Sequence, residues 1–564
     1  MTTRLDSEIS VGLDESTRLL CVAAQLDREF ARSAIREFLA HPARALPPAT
    51  GVDARVVLRE CLAAHQRRRV RDGILGVLMV IFAIVSLPWL IVWVGVAMGW
   101  RMIGPGHRRL DGDDRRHGGL VSKLVFAAVL AGLALFVVQQ MLPYLGAIMF
   151  GLSYDRGGLS GLIFTARNVL AAFVSLAMLA VIWFDRYTVW TSLTQRLRRG
   201  RLTATSSPLR DAGPFEQNLR SMTAEHVDCV VYRGPRPFVG SGQPHRPWSV
   251  AVALEADSHQ GRRRPGAELS ITALHEAVTR EVRSLAVPSA LSPSQRLRGV
   301  RAEGRVLVPA RALSMANEQP LLRELWPDER QRPRPNLSAA AMQYVVQDPQ
   351  EWMRFYATYV VESWDREVTV SIFMHYGLDQ GNLYVECIPC VLRPVNSRYR
   401  AADSVSQTSP WPAGADALGS WTVLPLTILP RLAGAVRRLR DDYSDSVDVE
   451  QYGTRGSLRE MAAAPDFEDY SQVSDVNRYL QILQTRIIRA IGAYLESCEV
   501  SVVDFMRQAG QSSVTNYWSD VYNVRGGVSG SSIGGQGNVT VNGNVSASGL
   551  RLDVTDGVKG SERS

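Results

Sequence analysis

Lysine is almost missing from this sequence of 564 residues: among its 63 basic side chains, only Lys123 and Lys559 are lysines. P-loop nucleotide-binding proteins, protein kinases, pyridoxal enzymes and SxxK acyl-enzymes each need a lysine inside a folded catalytic domain. Neither lysine lies in such a domain. These enzyme classes are therefore excluded, and the sequence predicts no catalytic residue and no cofactor.

Cysteine is also scarce, with six residues spread along the chain. This spacing is unlike that of a disulfide scaffold and favours a reducing compartment. The only CxxC pair, Cys387 and Cys390, has no second pair to complete a zinc site. His275 and Glu276 begin no HExxH motif because position 279 is threonine. No metal site is therefore predicted.

Long apolar runs are abundant in residues 73–190. Residues 74–100 and 124–150 each contain 27 residues without a charged side chain, and a third apolar run lies within 168–186. About 20 apolar residues cross a hydrocarbon core of roughly 30 Å. We predict a membrane α-helical region here, and hence a multi-pass protein whose partner is the lipid bilayer of the inner membrane.

Arginine and lysine flanking these runs indicate the orientation, because cytoplasmic loops retain positive charge. A single crossing by residues 74–100 places 6 such charges inside and 11 outside, whereas a re-entrant hairpin bent at Ser86, Leu87 and Pro88 places 15 inside and 2 outside. The hairpin is the preferred prediction and the single span is the alternative. Both termini are then cytoplasmic, residues 154–165 are external, and the arginine clusters lie at anionic headgroups.

The segment before the membrane region, residues 1–72, has apolar residues at helical spacing over 16–39 and 52–64. Pro47 and Pro48 separate the two patterns. The sequence therefore predicts two amphipathic helices in a small cytoplasmic subdomain.

Residues 203–511 have the composition of a soluble domain in which strand-like and helix-like patterns alternate irregularly. This pattern predicts a cytoplasmic α+β domain, whose clearest hairpin pairs residues 368–373 with 383–392. Further strands are predicted at 229–232, 248–254 and 306–308, and helices at 269–285, 339–360 and 429–440.

The end of this domain carries the longest predicted helix, residues 476–505, with one apolar stripe that includes Ile487 and Ile491. Either the stripe packs into the core or it is a coiled-coil seam. Residues 512–564 form a Gly/Asn/Val-rich tail, which is either flexible or adds a strand to a partner. We expect self-association or a protein partner through this helix and tail, and no nucleic-acid partner.

The most distinctive short element is the loop that contains Arg233, Arg236, Gly240, Ser241 and Gly242. Its glycines permit positive φ and exposed N–H groups, which together with the arginines are suited to an anion. The order of residues matches no nucleotide-binding or serine-hydrolase motif. The sequence thus predicts an anion-binding loop, with a rigid inter-strand connection as the alternative.

Two runs, VYRGPRPFVGSGQPHRPWSVAVAL and ESWDREVTVSIFMHYGLDQGNLYVECIPCVLRPV, resemble a group of uncharacterised multi-pass membrane proteins of high-GC actinobacteria. The resemblance spans residues 50–510 and implies architecture and location but no activity. The tail is similar to tails of some bacterial conflict-associated proteins, which favours an assembly or defence role. We therefore expect a membrane-tethered binding or assembly platform; a ligand-sensing or enzymatic domain is the alternative.

Overall fold

The computed structural model describes most of the chain outside the longest loops and both ends. The described residues are 15–40, 44–45, 47–48, 51–103, 159–199, 215–221, 227–254, 269–287, 291–292, 296–297, 299–328, 331–379, 381–404, 409–436 and 449–518. The predicted span at 124–150 and nearly all of the predicted tail therefore lie outside the described residues.

Helices and strands follow one another in a mixed order. The helices are α1 (Glu15–Leu26), α2 (Arg28–Phe38), α3 (Ala54–Val85), α4 (Leu87–Ile103), α5 (Leu159–Thr191), α6 (Glu216–Ser221), α7 (Ile271–Ser284), α8 (Pro320–Leu325), α9 (Ala339–Gln347), α10 (Trp411–Thr422), α11 (Leu424–Val436), α12 (Leu458–Met461), α13 (Tyr470–Ser497) and α14 (Val503–Trp518). The strands are β1 (Cys229–Tyr232), β2 (Gln243–Pro244), β3 (Trp248–Ala253), β4 (Arg301–Pro309), β5 (Arg354–Ser363), β6 (Val368–Asp379) and β7 (Asn382–Leu392).

The seven strands form one mixed sheet in the order β1-β4-β5-β6-β7-β2, with β3 also paired to β7. β1 runs parallel to β4, whereas the other pairs are antiparallel. The predicted hairpin is confirmed, because Val370 pairs with Val391 and Tyr376 with Val385. This sheet and its helices confirm the predicted α+β class.

One face of the sheet packs against α7, α13 and α14. Every second residue of β6 points toward these helices, as the period of two along a strand requires. Val370, Ile372 and Met374 are such residues, and their side chains are fully buried. Ile487 and Ile491 of α13 are also fully buried in the same cluster. The apolar stripe of α13 therefore lies in the core, where it is not available as a coiled-coil seam.

Two helical predictions in this domain are wrong at their C-terminal ends. The helix predicted over 339–360 ends at Gln347, because Pro349 disfavours helical geometry at Asp348, and the aromatic and β-branched residues that follow form β5. The helix predicted over 476–505 ends at Ser497, and Glu499 has a φ of 60°. Phe505 belongs to α14 instead.

The helix predicted over 16–39 is divided into α1 and α2 at Asp27, whose side chain accepts hydrogen bonds from the backbone N–H groups of Glu29 and Phe30 at the start of α2. Residues 16–25 of α1 are all buried, between α2, α3 and residues 395–402, so α1 is not the amphipathic helix that the sequence predicts. Helix α3 begins at Ala54 and continues through the predicted boundary at residue 72 into the apolar run. The N-terminal subdomain and the apolar helices are therefore one continuous body.

The apolar helices α3, α4 and α5 pack in a second cluster. Helical geometry is interrupted at Ser86, between α3 and α4, where the sequence predicts the hairpin bend. The ring centroids of Phe82 and Trp93, on either side of the break, lie 5.5 Å apart. Within the described residues, one helix is long and apolar enough to cross a membrane, Ala166–Arg196, and it includes the third apolar run.

Candidate functional site

The loop between β1 and β2 approaches two other parts of the chain so closely that glycine is required. Gly240 and Gly242 have φ values of 88° and 86°, the positive φ that the sequence predicts. A Cβ at Gly242 would lie 2.2 Å from the carbonyl oxygen of Val391, and one at Gly240 would lie 2.8 Å from that of Pro48. The loop is therefore held rigidly against the end of β7.

The N–H groups of this loop do hold an anion, but it belongs to the same chain. Gly240 and Gly242 donate hydrogen bonds of 3.0 and 2.9 Å to Oε1 of Glu460. The other carboxylate oxygen accepts a 2.7 Å hydrogen bond from the N–H of Ser457, which completes a capping box at the start of α12. Glu460 thus occupies the backbone nest that the glycines create.

The segment that carries Glu460 is positioned by the end of β1. Arg233 donates its backbone N–H to the carbonyl oxygen of Thr454 at 2.9 Å, and Thr454 donates to Val231 at 3.0 Å. A Cβ at Gly453 would lie 2.6 Å from the backbone of Tyr232, so the two segments are in direct contact. Residues more than 200 positions apart therefore form one site.

The predicted loop residues have different surroundings. The Arg233 side chain contacts both carboxylate oxygens of Glu37 at 3.1 Å, and burial lowers its pKa. Arg236 is exposed. The Ser241 hydroxyl is buried, and no hydrogen-bond partner for it is found in the described part of the chain. Of the two arginines predicted to hold an anion, Arg233 is paired within the chain and Arg236 is exposed to solvent.

A cavity of about 360 Å³ lies between this loop, the end of β7 and the residues around α12. Arg236, Arg393 and Arg455 line it together with the Glu460 carboxylate. Phe238, Val391, Leu392, Met461, Ala463 and Ala464 contribute apolar surface. Arg393 and Arg455 were missed by sequence reasoning, because no motif relates them to a loop 150 or more residues earlier.

The chemistry of this cavity favours binding. Its three guanidinium groups outnumber its single carboxylate, and a volume of a few hundred cubic ångströms suits a small ligand. Among the described residues that line it there is no serine, cysteine, histidine or aspartate. Glu460 is held by three backbone N–H groups, so its role is to position the loop. The site can attract an anion.

The two thiols of the CxxC pair lie on opposite faces of β7, because residues three apart on a strand point to opposite sides of the sheet. Cys387 packs with the α7 and α13 side of the sheet, whereas Cys390 packs with Phe238 on the other side. Burial raises the pKa of both thiols far above the ordinary value. Two protonated thiols on opposite faces cannot form a disulfide or ligate one metal ion.

His275 and the carboxylates of Glu362 and Glu367 are accounted for by packing and pairing. His275 is buried against Phe355 and Tyr376, and burial lowers its pKa to about 3. Glu362 pairs with Arg301 at 2.6 Å, and Glu367 pairs with Arg400. In the part of the chain that the structure describes, no group of three or more histidine, cysteine, aspartate or glutamate residues is placed to hold a metal ion.

Comparison with known proteins gives one match. The family model described as the AbeC-like domain matches residues 247–540, which is 294 of the 564 residues. This region contains β3 to β7 and α7 to α14, whereas β1, the glycine loop and the apolar helices precede it. No curated protein and no solved structure is significantly similar to the chain. Because the match covers more than half of the sequence, the chain belongs to the AbeC-like domain family.

Proposed function

We propose that this is a multi-pass inner-membrane protein that holds its AbeC-like domain at the cytoplasmic surface as a binding or assembly platform. The observation that carries the proposal is the outward face of the helices α3, α4 and α5. Ile84, Ile91 and Phe173 are exposed by 75, 66 and 69% on these three helices. Large apolar side chains exposed on three packed helices need a cover, and the bilayer is the cover that matches their length and composition.

The end of these helices nearest the N-terminal subdomain is highly charged. Asp185 of α5 pairs with Arg71 at 2.6 Å and with Arg67 at 2.9 Å. These two ion pairs link α5 to α3 at this end of the apolar helices. Arg68 is also used internally, since it donates to the carbonyl oxygen of Ala24 at 3.0 Å. Three of the arginines expected at anionic headgroups thus have protein partners. Arg69 is exposed, and we assign it the headgroup contact.

The proposed topology has the N-terminus, the AbeC-like domain and the C-terminus in the cytoplasm. Resemblance to actinobacterial multi-pass membrane proteins supports the same arrangement. The test uses Ser160→Cys and Thr205→Cys with an impermeant thiol reagent in intact cells. We expect labelling at 160 only. The six native cysteines are all buried, which keeps the background low. Labelling at 205 but not at 160 would overturn the topology.

A ligand-sensing role is the second candidate, and the arginine-lined cavity is the observation that favours it. Its charges and apolar lining suit an organic anion with a short apolar part. Butyl phosphate should therefore raise the unfolding temperature of the purified protein more than inorganic phosphate does. Arg236→Gln and Arg455→Gln should each remove most of that increase.

The matched control is Arg489→Gln, which removes an exposed arginine from α13 instead. It should keep the full increase with butyl phosphate. If all three variants respond alike, or if butyl phosphate has no effect on the native protein, the cavity is not an anion site.

The assembly role depends on the C-terminal tail, because the α13 stripe is used in the core. Deleting residues 526–564 should leave the unfolding temperature unchanged and reduce the size of the particle in detergent. An unchanged particle size would remove the tail from the proposal, and loss of folding would contradict its assignment as a tail.

A further inference from the structure

Helices α10 and α11 belong to the AbeC-like segment by sequence but pack with the apolar helices in space. Ala417, Leu424 and Ile428 are buried in the same cluster as Met79 of α3 and Met178 of α5. The contact with α3 is intimate, since a Cβ at Gly76 would lie 2.2 Å from a methyl carbon of Leu432. We propose that α10 and α11 form a second re-entrant hairpin, which inserts into the acyl chains of the bilayer from the side of the AbeC-like domain.

The length of the hairpin fits partial insertion. Between Asp416 and Arg431 the chain has fourteen residues without a charged side chain, about seven in each arm. Seven helical residues extend roughly 10 Å, about a third of a hydrocarbon core of roughly 30 Å. The hairpin is therefore too short to cross and long enough to enter.

Contacts with α5 place the α10 arm of the hairpin. Arg186 lies 3.5 Å from Asp416 at the base and donates at 3.1 Å to the hydroxyl of Ser420, one helical turn further along α10. Near the turn, the indole N–H of Trp421 donates to the carbonyl oxygen of Ser175 at 3.3 Å. Ser175 lies eleven residues from Arg186 along α5, roughly 16 Å at 1.5 Å per residue. The indole of Trp421, next to the turn, thus reaches the apolar stretch of α5.

The backbone at the turn is satisfied internally, which is the requirement for irregular chain at membrane depth. The carbonyl oxygen of Thr422 accepts a 3.1 Å hydrogen bond from the indole N–H of Trp93 in α4. The Thr422 hydroxyl donates to the carbonyl oxygen of Gly419 at 2.8 Å, and the Thr427 hydroxyl donates to that of Val423 at 3.2 Å. Without these partners, the carbonyl and hydroxyl groups would need hydrogen bonds with water, which the interior of a bilayer does not supply.

The outer face of the hairpin continues the apolar surface of the helices beside it. Trp411 and Leu429 are each exposed by 75%, and Leu418 by 47%. On α11, Pro430 and Ala433 are the other exposed residues whose side chains are described. Because the buried residues of α10 and α11 belong to the same cluster as those of α3 and α5, the hairpin lies beside these helices, and lipid that covers them also reaches its outer face. This inference rests on the membrane placement proposed above.

The test uses spin labels on the full chain in vesicles of phosphatidylglycerol and phosphatidylethanolamine. Leu429→Cys reports on the hairpin, Phe173→Cys on α5, and Tyr470→Cys on an exposed site of the AbeC-like domain. Power saturation measures collisions with oxygen, which partitions into lipid, and with a nickel chelate, which stays in water. We expect the oxygen-to-nickel ratio to exceed one at 429 and 173 and to fall below one at 470.

Three results would overturn the inference or its premise, and they can be told apart. A lipid signal at 173 with a water signal at 429 removes the hairpin and leaves the membrane proposal intact. Water signals at both positions remove the membrane proposal as well. Low collision rates with both reagents at 429 would mean that a second copy of the chain covers this face, which also overturns insertion into lipid.

Discussion

Arg18 forms a two-point ion pair with Asp403, a residue 385 positions away, with both nitrogen-to-oxygen distances at 2.8 Å. The guanidinium is only 2% exposed, and it also contacts Glu15 and the carbonyl oxygen of Leu197. Burial opposes the charge, but the two carboxylates outweigh it and raise the pKa of Arg18. Arg18 therefore ties α1 to the end of the apolar region and to the AbeC-like domain.

Replacing Arg18 with methionine should destabilise the protein substantially. The change removes the nearer cation of Glu15, since Arg199 lies 4.0 Å away. Breaking a buried pair costs about 3–5 kcal/mol, reduced here because Asp403 is half-exposed. Thermal unfolding in detergent measures the effect. Asp403→Asn is the control and should cost about 1 kcal/mol, because Glu15 still pairs with Arg18. Equal unfolding temperatures for native protein and R18M would contradict this role.

The glycine loop gives a prediction with an internal comparison. Gly242→Ala combines positive φ with a collision at the Val391 carbonyl, so it should lower the free energy of unfolding by more than about 2 kcal/mol. Gly234 has a similar φ of 87°, but a Cβ there would meet open space. Gly234→Ala should therefore lower the free energy of unfolding only by the cost of positive φ for alanine, about 1 kcal/mol. Similar losses in both variants would mean that close approach to β7 does not matter.

The core position of the α13 stripe predicts a severe effect at Ile487. Ile487→Asp buries an unpaired carboxylate, which costs several kcal/mol against a typical total of about 5–15 kcal/mol. Near-ultraviolet circular dichroism and protease resistance should report loss of the domain. Val473→Asp, on the same helix and 37% exposed, should remain folded. A folded I487D protein of smaller oligomeric size would instead support the coiled-coil reading.

Stability should decrease in acid because of buried histidines. Burial lowers the pKa of His275 to about 3, whereas the unfolded chain titrates near 6.5, so only the unfolded state gains this proton between those values. Stability from His275 is complete above pH 6.5 and is lost as pH falls toward 3. The loss is about 2 kcal/mol between pH 7 and 5.

His275→Phe keeps an aromatic ring against Phe355 and should remove that part of the pH dependence. Some dependence of stability on pH should remain in this variant, because burial also lowers the pKa values of His65 and His375, which likewise reduce stability as the pH falls. Unfolding temperatures at pH 5, 6 and 7 measure the difference. An unchanged slope in H275F would show that His275 does not titrate as its burial implies.

Local patterns in the sequence were sufficient for much of the architecture. The alternating residues of β6 and β7 predicted their hairpin, and Pro88 with its neighbours predicted the break at Ser86. Positive φ at Gly240 and Gly242 followed from the absence of a side chain. Each of these features depends on residues within a few positions of one another, which is the range over which backbone geometry and periodicity act.

Long-range pairing was decided only by the tertiary structure. The glycine loop predicted an anion, but nothing in the sequence identified Glu460 as that anion or brought Arg393 and Arg455 to the same cavity. Likewise, fourteen uncharged residues interrupted by two prolines are too few to predict a membrane segment, and only their packing against Gly76 and Trp93 places them among the apolar helices. Local propensity determines which elements form, whereas the free energy of burying their surfaces together determines which of them meet.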